Sequence, residues 1–181
     1  MKLACKMALA LAVLAAPVHA QQQPVVSNAL RFFLNQFSGN LVAASDDMPA
    51  SKYTYKSTPQ QLSVADVVEH LAGSNNSLCA SVAGVAAPVE PPLGAKPDST
   101  SPDVLRARLK RSFDFCKSAF ATLDDSKLAD SIAFFGRKVT RAQVILALPY
   151  DWADHYSQLA IYLRINGISP PNARVRAVPT P

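Results

Sequence analysis

Glycine is scarce in this chain, six residues in 181, against fourteen prolines. With 49% apolar residues, that balance excludes collagen-like, disordered and linker-dominated chains. Long apolar runs are also missing, apart from one at the N-terminus that is too short to span a bilayer. Cysteine and histidine number three each, and tryptophan one. No Gly-rich phosphate loop, Gly-x-Ser-x-Gly elbow or Cys-x-x-Cys pair is present. A chain of this length supports one domain and makes two independent cores unexpected.

The N-terminal run reads as a secretory signal. Lys2 and Lys6 form a positive start, Met7 to Ala16 a short apolar stretch, and Val18-His19-Ala20 a cleavage site ending in a small residue. The expectation is a signal peptide over 1–20, export to the periplasm or medium, and Gln21 as the first mature residue. Pro17 and His19 stop the run before it reaches anchor length. Cys5 lies ahead of the apolar stretch and is not placed as a lipoprotein cysteine. Cleavage removes two of 18 basic residues against 13 acidic ones, leaving a charge of about +3. That surplus and export argue against a nucleic-acid partner. The densest basic stretch, Arg106 to Arg111, alternates with leucines and reads as a solvated helix face.

Apolar spacing predicts four helices. The first covers about 25–43, with Val26, Leu30, Phe33, Phe37 and Leu41 at three- and four-residue steps. The second opens at Ser63 and ends near Gly84. The third follows Ser101-Pro102-Asp103, read as a cap with acid in the first turn. The fourth runs from about Thr140 to Asn166-Gly167, where glycine suits a left-handed cap before Pro170-Pro171. Pro149 inside it predicts a kink or a division. Residues 44–62 read as an ordered loop packed by Tyr53 and Tyr55. Ile132 to Gly136 reads as loop or extended chain. Residues 86–101 read as a crossover whose extended reach, roughly 50 Å, exceeds the length of the second helix, about 33 Å. That reach makes the second and third helices parallel.

Asp151 and His155 stand four apart on the fourth helix, on its apolar stripe between Leu148, Trp152 and Leu159. A carboxylate facing a core costs several kcal/mol unless paired or bound to a cation. The pair suits two-point metal ligation, and a structural Asp–His hydrogen bond explains it equally well. His70, at the margin of the second helix's stripe, reads either as a satisfied edge histidine or as a third ligand. Two histidines and one carboxylate with open positions suit Zn or Fe(II). Glu69 reads as solvated, and Arg164 as a cap on the last turn rather than an anion site.

Three stretches then resemble the DinB/YfiT-like family of four-helix-bundle metalloenzymes. They are Met48 to Tyr53 with Thr58-Pro59, Val68-Glu-His70-Leu-Ala-Gly73-Ser-Asn75, and His155-Tyr-Ser-Gln158 through Tyr162, Arg164 and Asn166-Gly167 to Pro170-Pro171. The resemblance implies an all-α bundle in up-down-down-up order, agreeing with the crossover, over one domain from 22 to 178. It implies a divalent metal (Zn, Ni, Fe or Mn) on His70, Asp151 and His155, with Asp151 standing where the family usually has histidine. It also implies a metal-dependent hydrolase or transferase acting on a small molecule. The alternative is a non-catalytic, metal-stabilised binding or structural bundle. Characterised members include thiol-dependent transferases and isomerases, whose cytosolic thiols an exported protein would lack. The remaining partner expectations are a homodimer and no membrane after cleavage.

Two cysteines survive cleavage, Cys79 and Cys116. With parallel helices their depths differ by only roughly 5 Å, and export permits a disulfide. The expectation is that they are bonded.

Overall fold

Three of the four helices begin where a side chain satisfies their first amides, because those N–H groups have no partner within the helix. The computed structural model describes residues 23–92 and 97–174. The expected signal peptide, and the ends of the expected domain, lie outside the described residues. Helix α1 spans Val25–Asp47, α2 Val64–Ala83, α3 Pro102–Phe120 and α4 Arg141–Ile165. Ser63 caps α2 through a reciprocal box with Asp66, and Thr140 caps α4 through one with Gln143. Ser101 makes no capping bond, contrary to expectation; Pro102 opens α3 instead, where its missing N–H costs nothing.

Helix α1 has no cap from its own segment. Asp125, far along the chain, accepts from the amides of Val26 and Ser27 at 2.9 Å each and from the Ser27 hydroxyl at 2.6 Å. Helix α1 also runs four residues past its expected end and stops at Met48-Pro49. Helix α4 is not divided at Pro149; it continues to a left-handed Gly167 at φ 74°, with Ile168 N–H bonded to Leu163 O.

Links between α2 and α3 advance together along both helices: Glu69 with Arg108, Asn75 with Ser112, Cys79 with Cys116. Only a parallel pair gives that order, so the end of α2 and the start of α3 lie at opposite ends of the bundle, as the expected crossover requires. Links between α2 and α4 run in opposite senses, Arg141 to Val82 and Tyr162 to Leu62. The result is an all-α, up-down-down-up four-helix bundle. The Cys79–Cys116 disulfide joins the parallel pair, with Cα atoms 5.3 Å apart. Trp152 fills the centre, its ring 6.3 Å from Phe37 and 6.0 Å from Phe113. It is fully buried, as are Phe113, Phe120 and Leu148.

The basic stretch is a solvated face only in part: Lys110 and Arg111 are exposed, whereas Arg106 and Arg108 are largely covered. Arg106 donates to the Tyr53 hydroxyl at 2.9 Å and to Met48 O at 2.7 Å, pinning the 44–62 connector. Arg108 donates to Pro91 O and Arg111 to Glu90, pinning the crossover. The expected tyrosine packing holds: Tyr53 is buried and donates to Ser45 O, and Tyr55 meets Tyr162 edge-on. Residues 132–136 belong to a hairpin, strand β1 Ser131–Phe134 paired with β2 Arg137–Thr140. It is the only sheet among the described residues. Its turn places Phe135 at φ 46° and Gly136 at φ 74°. No helix among the described residues is long and apolar enough to cross a membrane.

Candidate metal centre

The buried stripe of α2, with Val67, Val68 and Leu71 inward, leaves His70 at its edge, its side chain 44% exposed. Opposite it, Trp152, Leu148 and Leu159 hold α4 against the core and turn Asp151 and His155 toward α2. The three residues meet. One donor atom from each of His70, Asp151 and His155 lies within 4.8 Å of the others. Asp151 Oδ1 is 3.2 Å from His70 Nε2 and 3.5 Å from His155 Nε2. The two imidazoles cross edge-on, with centroids 4.5 Å apart.

A relay of side chains sets the tautomer of His155. Tyr162 donates its hydroxyl to Leu62 O and accepts from Gln158 Nε2, each at 2.8 Å. Gln158 is thereby left with Oε1 facing His155 Nδ1 at 3.4 Å. His155 Nδ1 therefore carries the proton and donates, and its Nε2 lone pair is directed at the carboxylate. A lone pair and a carboxylate repel unless a cation lies between them. A proton on Nε2 can fill that place, and the Asp151 carboxylate favours it. Burial works to lower the His155 pKa, but its bond to Asp151 and the charge of Asp151 raise it overall. Burial likewise works to raise Asp151, yet the hydrogen bonds and charges of His155 and His70 bring it down to about 2. The second carboxylate oxygen, Oδ2, is buried with no partner.

That orphaned oxygen fits a metal ligand set better than a structural Asp–His pair, which would leave it unsatisfied at a cost of about 1–3 kcal/mol. Two imidazole nitrogens and one carboxylate also suit a borderline divalent ion. Ser74 Oγ, 3.3 Å from His70 Nε2, adds a polar group to the rim. A surface cleft of about 340 Å³, lined by residues that include Ser57, Gln61, Asp154, Gln158 and Tyr162, reaches the relay at Gln158; none of the three triad residues lines it.

Glu69 does not belong to this cluster and is not solvated. It faces α3, where Arg108 donates to it at 3.0 Å, and burial raises its pKa against the pull of that arginine. Arg164 bonds Ala160 O one turn back along α4, and carbonyls of the last turn are met by Asn166 and Ile168 rather than by Arg164. Sequence reasoning gave no role to Gln158, Ser74 or Asn75. Gln158 carried a usable signal, since it stands three residues after His155 and so shares its face.

The fold and cluster together define a class: a four-helix bundle with a His/Asp/His triad facing across α2 and α4. The DinB superfamily model matches residues 34–159, well over half of the chain, and the chain belongs to that superfamily. Its structure is similar to the crystal structure of a DinB-like protein, YjoA, from Bacillus subtilis. The two share 19% sequence identity and a TM-score of 0.64, over 83% of this chain and 100% of the other. No curated protein sequence matches the chain.

Proposed function

We propose that this protein is an exported DinB-superfamily metalloenzyme that holds one divalent ion on His70, Asp151 and His155 and acts on a small molecule. The observation that carries the reading is the buried, unpartnered Asp151 Oδ2 within a triad whose donors lie inside 4.8 Å. A divalent ion bound there supplies Lewis acidity, polarising a substrate oxygen or lowering the pKa of a water. The chain's own residues do the rest. Gln158, held by Tyr162, keeps His155 in the Nδ1-protonated tautomer that leaves Nε2 free to bind. His70, at 44% exposure, keeps one side of the centre open to solvent, which favours catalysis over a sealed structural site. The cleft that reaches Gln158 has the volume of a small-molecule site. Zn, Ni, Fe and Mn all accept this donor set. Export rests on the signal sequence of residues 1–20, and the Cys79–Cys116 disulfide agrees with an oxidising compartment.

Elemental analysis of protein purified without an affinity tag tests the centre. Wild type should carry about one equivalent of metal, and Asp151→Ala should carry none. Glu69→Gln should load normally, since Glu69 faces Arg108 on α3 and glutamine keeps an acceptor for it. An Asp151→Ala protein that binds metal like wild type overturns the reading. Export is tested separately, by intact mass of the secreted chain, which should begin at Gln21.

A further inference from the structure

Two of the three proposed ligands sit on α4 and one on α2, so the triad is only as well formed as the roll of α4 against α2. A roll of about 10° carries a donor some 5 Å from the helix axis through roughly 1 Å. Metal–ligand bonds tolerate about 0.2 Å. Interdigitated apolar side chains set the roll to within the scatter of helix packing, about 15–20° in crossing angle. A hydrogen bond is directional.

One buried polar side chain supplies that direction. Asn75 is fully buried on α2, five residues past His70. Its Nδ2 donates to Ser112 Oγ on α3 at 3.0 Å, and its Oδ1 accepts from Trp152 Nε1 on α4 at 2.8 Å. Ser112 in turn donates to Leu109 O, so its oxygen is free to accept and fixes which way the Asn75 amide faces. Trp152 directly follows Asp151 and precedes His155 by three residues. Its indole is clamped between Phe37 and Phe113, so it cannot turn independently of its helix.

We infer that Asn75 is a positioning residue for the metal centre, setting the roll of α4 through Trp152 and with it the convergence of Asp151 and His155 on His70. This inference rests on the reading of the triad as a metal centre. The Asn75 side chain bonds Ser112 and Trp152 rather than the triad, and it does not line the cleft. It acts on the triad through the indole, and burial of a polar amide at this position is explained by that task.

Cobalt(II) titration of the full-length mature protein, read by visible absorption, tests the inference. Asn75→Val removes both bonds; Trp152→Phe removes only the indole donor and keeps an aromatic ring in place should the first variant fold poorly. Each should weaken cobalt binding about tenfold and shift the ligand-field bands. Phe120→Leu, a core change at the end of α3, should lower the melting temperature without moving either readout. In the metal-free protein, the imidazole carbon–proton NMR signals of His70 and His155 should shift in the first two variants and stay put in the third. If Trp152→Phe and Asn75→Val bind cobalt as wild type does, the inference is overturned with the centre intact. If wild type itself takes up no cobalt, the proposed function falls, and unshifted imidazole signals then overturn the role of Asn75 as well.

Discussion

Asp151 faces two imidazoles that can carry protons and, on the proposed reading, a metal ion in their place, and pH separates the two cases. In the metal-free protein the His155 pKa is raised and that of Asp151 is lowered to about 2. The share from His155 is fully present below its ordinary value of about 6.5 and is lost as pH rises through the raised one. The share from Asp151 is present above about 4 and is lost as pH falls toward 2. A metal requires unprotonated imidazoles, so its stabilisation grows with pH. Calorimetry of chelator-treated and metal-loaded protein between about pH 6 and 8 should therefore show a widening gap in melting temperature. Parallel curves would mean that the triad binds only protons. The triad itself was readable in the sequence because two of its members stand one helical turn apart and the third lies on another helix margin. Gln158 and Asn75 were not, since each acts through a partner whose nearness only the folded helices create.

The elements show the same division between local and remote causes. Ser63, Gly84 and Gly167 mark helix ends with bonds made inside their own segments, and the expected boundaries follow them. The start of α1 depends on Asp125, and the use of Arg106 depends on Tyr53 and Met48, so neither is written in the neighbouring residues. Asp125→Ala should accordingly destabilise the protein by about 1–2 kcal/mol in urea unfolding, the cost of a lost helix cap, and amide exchange should quicken first in the opening turn of α1. The hairpin escaped notice because its turn is Phe135-Gly136 rather than the usual Asn-Gly. Phe135 is 80% exposed and sits at positive φ, where asparagine is at ease. Phe135→Asn should raise stability by about 0.5–1 kcal/mol; a loss would show that its edge-on contact with Phe134 outweighs the backbone cost.

At the scale of the whole molecule, the disulfide acts on the parallel pair that the crossover makes possible. Cys79 and Cys116 are 37 residues apart in sequence. Closing a loop of that size removes unfolded-chain entropy worth about 4 kcal/mol. Chemical denaturation with and without reductant should differ by about that amount, and the unreduced protein should show no alkylatable thiol at either position. The parallel course of α1 and α4 has a mechanical consequence. Their outer ends, Val25 and Ile165, lie at opposite poles of the bundle, so a load applied between them drags the two helices past each other instead of peeling them apart. Such a load should meet a high rupture force. Once the bundle yields, the chain between Cys79 and Cys116 stays cinched, withholding roughly 120–130 Å of contour length that appears only after reduction.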